Sequence, residues 1–166
     1  MIRHDLPYVL HISGRSFDWD WSENDFLQCL RQRDCIGMVA EHGCSNIVGY
    51  MIYQLKKAKF HILNFAVHPA WRRMNVGGAM VEKLVAMLDN RRRTRLTMEI
   101  RESNLPGQSF FRKKEFAATG VTRNFYDDTG EDAYRMQYRA YPPNELELQE
   151  EQEGNQYVND ENGDRS

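Results

Sequence analysis

The chain has 166 residues, 41% of them hydrophobic and 28% charged, with a net charge of −2. That length and composition describe one globular domain and exclude a coiled coil, a collagenous chain or two full catalytic domains. No run approaches eighteen apolar residues, Met1-Ile2-Arg3-His4-Asp5 lacks an apolar signal core, and Cys29, Cys35 and Cys44 form no CxxC pair; membrane helices, a disulfide framework and structural zinc are thereby disfavoured, and a reducing cytoplasm is expected.

Leu6, Val9, Leu10 and Ile12 suit a first helix, with Asp5 as N-cap and Leu6-Pro7 in its first turn. Ser22 can cap a second helix through Phe26, Leu27 and Leu30. Strand-like runs follow at 37–41 and 47–55, separated by the turn-rich His42-Gly43-Cys44-Ser45-Asn46, and then at 60–67 after a lysine-rich turn. Val76, Met80, Leu84 and Leu88 recur at four-residue spacing and predict a helix over 76–88. Arg95–Arg101 alternates strictly, with Leu96, Met98 and Ile100 on one face and Thr97, Glu99 and Arg101 on the other. A short helix near 105–114 and strands at 119–125 and 133–141 complete the order. The expected fold is therefore α/β (α+β): a mixed, mostly antiparallel central sheet flanked by helices, with one parallel crossover.

Charge divides the chain near Pro142-Pro143. Up to Tyr141 there are 21 bases against 16 acids; beyond it, eight acids face Arg165 alone, a net −7. The polar, acidic stretch 142–166 cannot bury enough apolar surface to offset its ordering entropy, so residues 1–141 are read as the folded domain and 142–166 as an acidic disordered tail. A short helix around 145–152 is the competing reading. The mildly basic body suits an anionic ligand, without arguing for direct nucleic-acid binding.

The chemistry points to one segment. After the strand ending Phe65-Ala66-Val67 comes a basic loop, Arg72-Arg73-Met74-Asn75, and then Val76-Gly77-Gly78 opens a helix. Two glycines in a first turn each cost up to about 1 kcal/mol of helix stability relative to alanine. They leave bare N–H groups at the positive end of a helix dipole, where an anion is favoured, and the arginines add charge. The pattern reads as a diphosphate cradle. A dinucleotide fold is disfavoured, since GxGxxG and repeated βαβ order are missing.

Those residues resemble the acetyl-CoA signature of the GNAT family of N-acetyltransferases, [Arg/Gln]-x-x-Gly-x-[Gly/Ala]. Glu99-Ile100-Arg101-Glu102-Ser103-Asn104, Phe110 to Phe116, Arg123-Asn124-Phe125-Tyr126, Gly130-Glu131-Asp132-Ala133 and Trp21-Ser22-Glu23 are similar to the bacterial ribosomal-protein-alanine N-acetyltransferases and their N-terminal relatives. The resemblance runs from about Leu6 to Ala140. It implies acetyl-CoA as cosubstrate, no metal, and transfer of acetyl to an amine, foremost the N-terminal α-amine of a ribosomal protein. Phe65, Ala66 and Val67 would hold the acetyl-pantetheine arm, Arg73 to Gly78 the pyrophosphate with Arg72 adding charge beside it, and Asn104 the cofactor beyond the next strand. Glu99 would be the general base, and Trp21 and Tyr126 would line the peptide groove, with Trp19 either there or in the core. A protein N-terminus is the expected partner; membrane and nucleic acid are not.

On chemistry alone Glu99 divides evenly between base and ion-pair partner on a polar sheet face. An α-amine, with a reference pKa of about 7.7–8.0, must lose a proton before it attacks, and burial of Glu99 would raise its pKa towards that task. His61 and His68 read as structural. Arg91-Arg92-Arg93-Thr94-Arg95 reads as solvated cations after a helix, with contact to the 3′-phosphate of coenzyme A or to a ribosomal partner left open.

Four departures stand out. Asn75 takes a usual glycine position, where asparagine best tolerates left-handed geometry. Gly78 replaces a common basic residue. Phe111 stands where the family's tyrosine serves as general acid; a thiol can depart as thiolate with only partial help, so either a slower enzyme or a donor supplied by water or Tyr126 is expected. The family's opening strand is missing before the first helix, so either a truncated or mis-started chain or a sheet one strand short is expected. Competing functions are acetylation of a lysine or small-molecule amine, and a non-catalytic acetyl-CoA-binding module.

Overall fold

The computed structural model describes residues 1, 3–18, 21–43, 46–146 and 148. The expectations placed on Trp19, and most of that for a disordered tail, lie outside the described residues. A 3-10 turn at Arg3–Asp5 leads into α1 (Leu6–Gly14), followed by α2 (Glu23–Arg31), β1 (Cys35–His42), β2 (Asn46–Leu55) and β3 (Lys59–Val67). Then come α3 (Val76–Val85), β4 (Arg95–Arg101), α4 (Leu105–Lys113), β5 (Ala117–Tyr126) and β6 (Glu131–Arg139). The six strands form one sheet in the order β1-β2-β3-β4-β6-β5. Every pair is antiparallel except β3 with β4. Among the described residues no strand precedes α1.

Local chemistry explains most boundaries. Ser22 and Asp25 form a reciprocal capping box at the start of α2. Asp5 occupies the N-cap position of α1 but makes no side-chain cap bond, because the 3-10 turn already gives it helical φ and ψ. Helix α3 stops at Val85 rather than Leu88: Met87 N–H and Leu88 N–H bond to Leu84 and Val85, three residues back, so the last turn tightens while Leu88 stays buried.

The sheet separates two cores. Leu84, Leu88, Leu96, Met98, Ile100, Phe111, Phe116 and Met136 pack beneath α3 and α4. Leu6, Val9, Ile12, Phe26, Tyr50 and Ile52 pack beneath α1 and α2. Strand β2 feeds both, with Met51 and Tyr53 on one side and Tyr50 and Ile52 on the other, which explains its nearly continuous apolar run. Each fully buried Leu or Phe contributes roughly 1.5–3 kcal/mol. One expectation fails. Cys29, near the end of α2, and Cys35, at the start of β1, form a disulfide with Cα atoms 6.1 Å apart. The turn between helix and strand brings together cysteines whose spacing gave no such signal.

Candidate active site

Strands β3 and β4 pair over only four register positions, from Lys59↔Arg95 to Ile62↔Met98. Beyond that point β3 stays on β2 as far as Gly49↔Val67, and β4 stays on β6 as far as Arg101↔Ala133. A register shift at Ile52/Tyr53 inserts Leu63 as an extra residue in β3 just where the pairing ends. A bulge bends its strand and increases its twist. Past Met98 the two strands therefore part, and a slot opens between Phe65–Val67 and Glu99–Arg101, with peptide edges that can pair with an amide-bearing ligand.

The α3 end of the slot is the cradle. Asn75, its N-cap, has φ 60° and ψ 13°, the left-handed conformation anticipated for it, and Arg73 also has a positive φ of 62°. Such backbone strain clusters at ligand sites. Gly77 and Gly78 are buried. A Cβ on Gly77 would stand 3.1 Å from Phe65 Cζ and 3.4 Å from Val67 Cγ2, so this glycine lets the helix close on the strand end. A Cβ on Gly78 would collide with Asn75 Oδ1 and lie 2.9 Å from Lys114 Nζ. The ammonium that Gly78 itself lacks thus arrives from the end of α4, where Lys114 also pairs with Glu82 at 2.8 Å.

Other residues expected at the cofactor fall as follows. Ala66 is buried opposite Tyr50, Val76 is half-buried, and Met74 is 62% exposed. Arg72 turns back from the cradle, its Nε donating to Val67 O at 3.1 Å and its Nη2 to Ser16 Oγ at 3.1 Å. It ties the loop to α1. Asn104 caps α4, its Oδ1 accepting from Gly107 N–H at 3.0 Å, so its Nδ2 is the group that would meet a cofactor. Arg91 and Arg92 lie at the opposite end of the sheet, next to the starts of β3 and β4. Nine residues of β3 separate that end from the cradle, about 26 Å at strand rise, which excludes them as ligands of the coenzyme's phosphates.

Glu99 is half-buried on β4 and faces the slot's other wall. Its Oε2 lies 3.1 Å from His61 Nε2 on β3, while His61 Nδ1 is 2.9 Å from Thr97 Oγ1. Burial alone would raise the Glu99 pKa, but the His61 hydrogen bond and the charges of His61, Lys59 and Arg135 outweigh it, so the net shift is downward. The expected upward shift is thus corrected: β3 supplies a partner that no local spacing announces. His61 is also the residue that sequence reasoning set aside. The only sequence signal was its parity, since His61 and Thr97 sit opposite each other once β3 and β4 are aligned as parallel strands.

Two positions beyond Glu99, Arg101 organises the acceptor side. Its guanidinium lies 3.8 Å from the Tyr126 ring centroid, donates to Asp128 Oδ2 at 2.6 Å and to Thr129 Oγ1 at 3.0 Å, and pairs with Glu131. These contacts fasten the β5–β6 turn to β4. The Tyr126 hydroxyl is pushed up to about 12, chiefly by burial, with Glu99 among the charges that add to the shift. Trp21 does not join this group; it packs edge-on against Phe26 in the α1–α2 core, ring centroids 5.3 Å apart. Phe111 is 3% exposed and meets Phe65, Phe110 and Phe116 edge-on, a core residue with no proton to give.

Residues 5–116 match the acetyltransferase (GNAT) family model. The chain is 29% identical over 134 residues to the [ribosomal protein bS18]-alanine N-acetyltransferase of Escherichia coli K12, covering 80% of this chain and 89% of that one. It is 34% identical over 145 residues to an N-alpha-acetyltransferase of Sulfolobus acidocaldarius, covering 80% and 85%. The crystal structure of the ribosomal-protein-S18-alanine N-acetyltransferase from Escherichia coli superposes with a TM-score of 0.75 at 26% identity, over 87% of this chain and 94% of that one. Arabidopsis thaliana NAA60 in complex with acetyl-CoA, at 13% identity and a TM-score of 0.71 over 84% and 95%, shares the fold. With the family matched over well over half its length, the chain belongs to the GNAT acetyltransferases and is an acetyl-CoA-dependent N-acetyltransferase.

Proposed function

We propose that the chain acetylates the α-amine of protein N-termini, a ribosomal protein's first among them, in the cytoplasm where those proteins are made. The single observation that carries this reading is the His61–Glu99 pair at the point where β3 and β4 part. Relatives named for acetylating ribosomal protein bS18 or α-amines support the acceptor class.

Acetyl-CoA supplies a thioester that the amine attacks. The cradle fits that cosubstrate: Arg73, Asn75 and the amides from Val76 to Gly78 would hold the diphosphate, with Lys114 adding the nearby cation. The strand end Phe65–Val67 would align the pantetheine arm and polarise the thioester carbonyl through a backbone N–H. Glu99, a carboxylate at neutral pH, would draw the proton from the acceptor ammonium directly or through water. His61, itself in contact with Thr97, would hold that carboxylate in place. A thiol with a pKa near about 8.5, by analogy with cysteine, can leave as thiolate. Tyr126, protonated throughout the neutral range, or water would be the donor, since Phe111 has no proton to give. Tyr126, fastened by Arg101, would flank the entering peptide. Residues 1–141 would suffice for all of this, leaving the tail outside the chemistry.

The test is thiol release from acetyl-CoA with peptides of varied N-terminal residue, compared with lysine peptides whose α-amine is blocked and with Glu99→Gln. Turnover on free α-amines, reduced by roughly 100-fold or more in the variant while acetyl-CoA still binds, supports the reading. Preference for blocked lysine peptides, or undiminished activity of Glu99→Gln, overturns it.

A further inference from the structure

A basic surface at the pole opposite the cradle takes no part in the proposed chemistry. The β2–β3 turn carries Lys56 and Lys57, and the loop before β4 carries Arg91, Arg92 and Arg93. Arg93 Nε donates to Lys56 O at 2.8 Å and its guanidinium lies over Phe60, which holds the two loops together. Arg33 joins them, because Leu55 N–H bonds to Asp34 O. Arg33, Lys57, Arg91 and Arg92 are exposed. Two acids stand among these six bases. Asp34 accepts from Gln54, and Asp89 accepts the backbone N–H groups of Arg91 and Arg92. The pole therefore keeps an excess of positive charge. Burial first, and then the neighbouring Arg92, lower the Arg93 pKa, with Asp89 acting against them.

The same pole anchors the root of the acidic tail. Ala140 and Tyr141 N–H groups bond to Thr94 O, and Asn144 Nδ2 donates to Asn90 O at 3.3 Å and Arg92 O at 3.4 Å. The chain thus enters its last 22 residues, with eight acids and one arginine, from the basic loop itself. Even at helical rise 22 residues span about 33 Å, enough to reach every base of the pole. Tethering holds it there at an effective concentration on the order of millimolar.

We infer that this pole is a docking surface for the chain's own acidic segment 145–164, which covers it against other polyanions. The inference does not depend on which amine is acetylated. Single exposed ion pairs contribute little, about 0–1 kcal/mol each, so occupancy rests on many pairs plus the tether and weakens with salt.

Zero-length carbodiimide coupling of the intact chain tests it, read by peptide mapping of the monomer. Lys56 and Lys57 report the pole, and Lys83 and Lys113 report other faces. Tail carboxyls are expected to couple to Lys56 and Lys57 at least about fivefold more than to Lys83 and Lys113 at low salt, an excess that about 0.5 M NaCl or the Arg91→Glu/Arg92→Glu pair abolishes. Even coupling to all four lysines, or an excess indifferent to salt and to the arginine changes, overturns the inference. A short labelled single-stranded RNA supplies an independent arm. It is expected to bind more tightly when Glu145, Glu147, Glu150, Glu151 and Glu153 are changed to glutamine; equal binding to the unaltered chain would mean an open polyanion surface instead.

Discussion

His61 Nε2 lies 3.1 Å from Glu99 Oε2, across the last parallel turn before β3 and β4 separate. One residue enters from each strand, so the pair exists only while both strands hold their register. Replacing His61 by phenylalanine keeps a ring of similar size on β3 but removes the hydrogen bond. The Glu99 pKa should then rise, since burial remains and its largest opposing cause is gone. The measurement is a pH profile of kcat. The acid limb should move to higher pH in His61→Phe while KM for acetyl-CoA is little changed; an unshifted profile would separate His61 from the base.

Stability should depend on acid more than on alkali. Glu99 is lowered against its own burial by His61 and the surrounding charges; Asp128 is lowered by the Arg101 hydrogen bond, Glu131 by Ser103, and Asp132 by the Asn124 backbone and Arg123. A carboxylate whose folded pKa is depressed contributes stability that is complete above its unfolded value and disappears as pH falls through the folded one. The unfolded values are 4.5 for the two glutamates and 3.8 for the two aspartates. Melting temperature should therefore be level from neutrality down to about pH 5 and drop below it. Scanning calorimetry across that range checks the sign.

Lys114 should matter to the cofactor although it lies far from the cradle in sequence. Lys114→Met keeps the stem and removes the ammonium beside Gly78, and also the pair with Glu82. Acetyl-CoA affinity is expected to fall by roughly 3–10-fold, a partly exposed charge contact, with Lys114→Arg restoring most of it. Calorimetric titration against acetyl-CoA and against acetyl-pantetheine isolates the effect. Only the phosphate-bearing ligand should respond.

Arg101→Met should loosen the acceptor side rather than the cofactor side. The guanidinium that fastens Tyr126, Asp128 and Glu131 is lost, while the apolar stem still lies along β4. The KM for peptide is expected to rise by about 10-fold with acetyl-CoA binding unchanged, as when uniform binding is removed. Steady-state kinetics with both substrates varied would show it.

The Cys29–Cys35 disulfide closes a short loop between α2 and β1. In the chain-entropy account a loop of this size contributes about 2 kcal/mol. Reductant should lower the melting temperature of the unaltered chain and leave that of Cys29→Ser where it was. A reductant-insensitive melt would mean the bond adds nothing.

Most of the element order was legible because each element carries its own signal. Capping by Ser22, four-residue spacing from Val76 to Leu84, and alternation from Arg95 to Arg101 act over one or two turns or a single strand. Gly77-Gly78 and the arginines announced an anion site for the same reason: a helix start is a local object. The left-handed Asn75 was legible too, since its cause is covalent.

What tertiary structure alone decided is who meets whom. Leu63 bulging in β3 ended the β3–β4 ladder and opened the slot. Register then set His61 against Glu99, the end of α4 brought Lys114 to Gly78, and Arg101 gathered the β5–β6 turn. Arg72, read as a cofactor ligand from its neighbours, turned instead to Val67 and Ser16. These partners are separated in sequence, so no periodicity encodes them. A strand shows which face a side chain takes, but its partner is fixed only by the offset at which another strand is laid beside it.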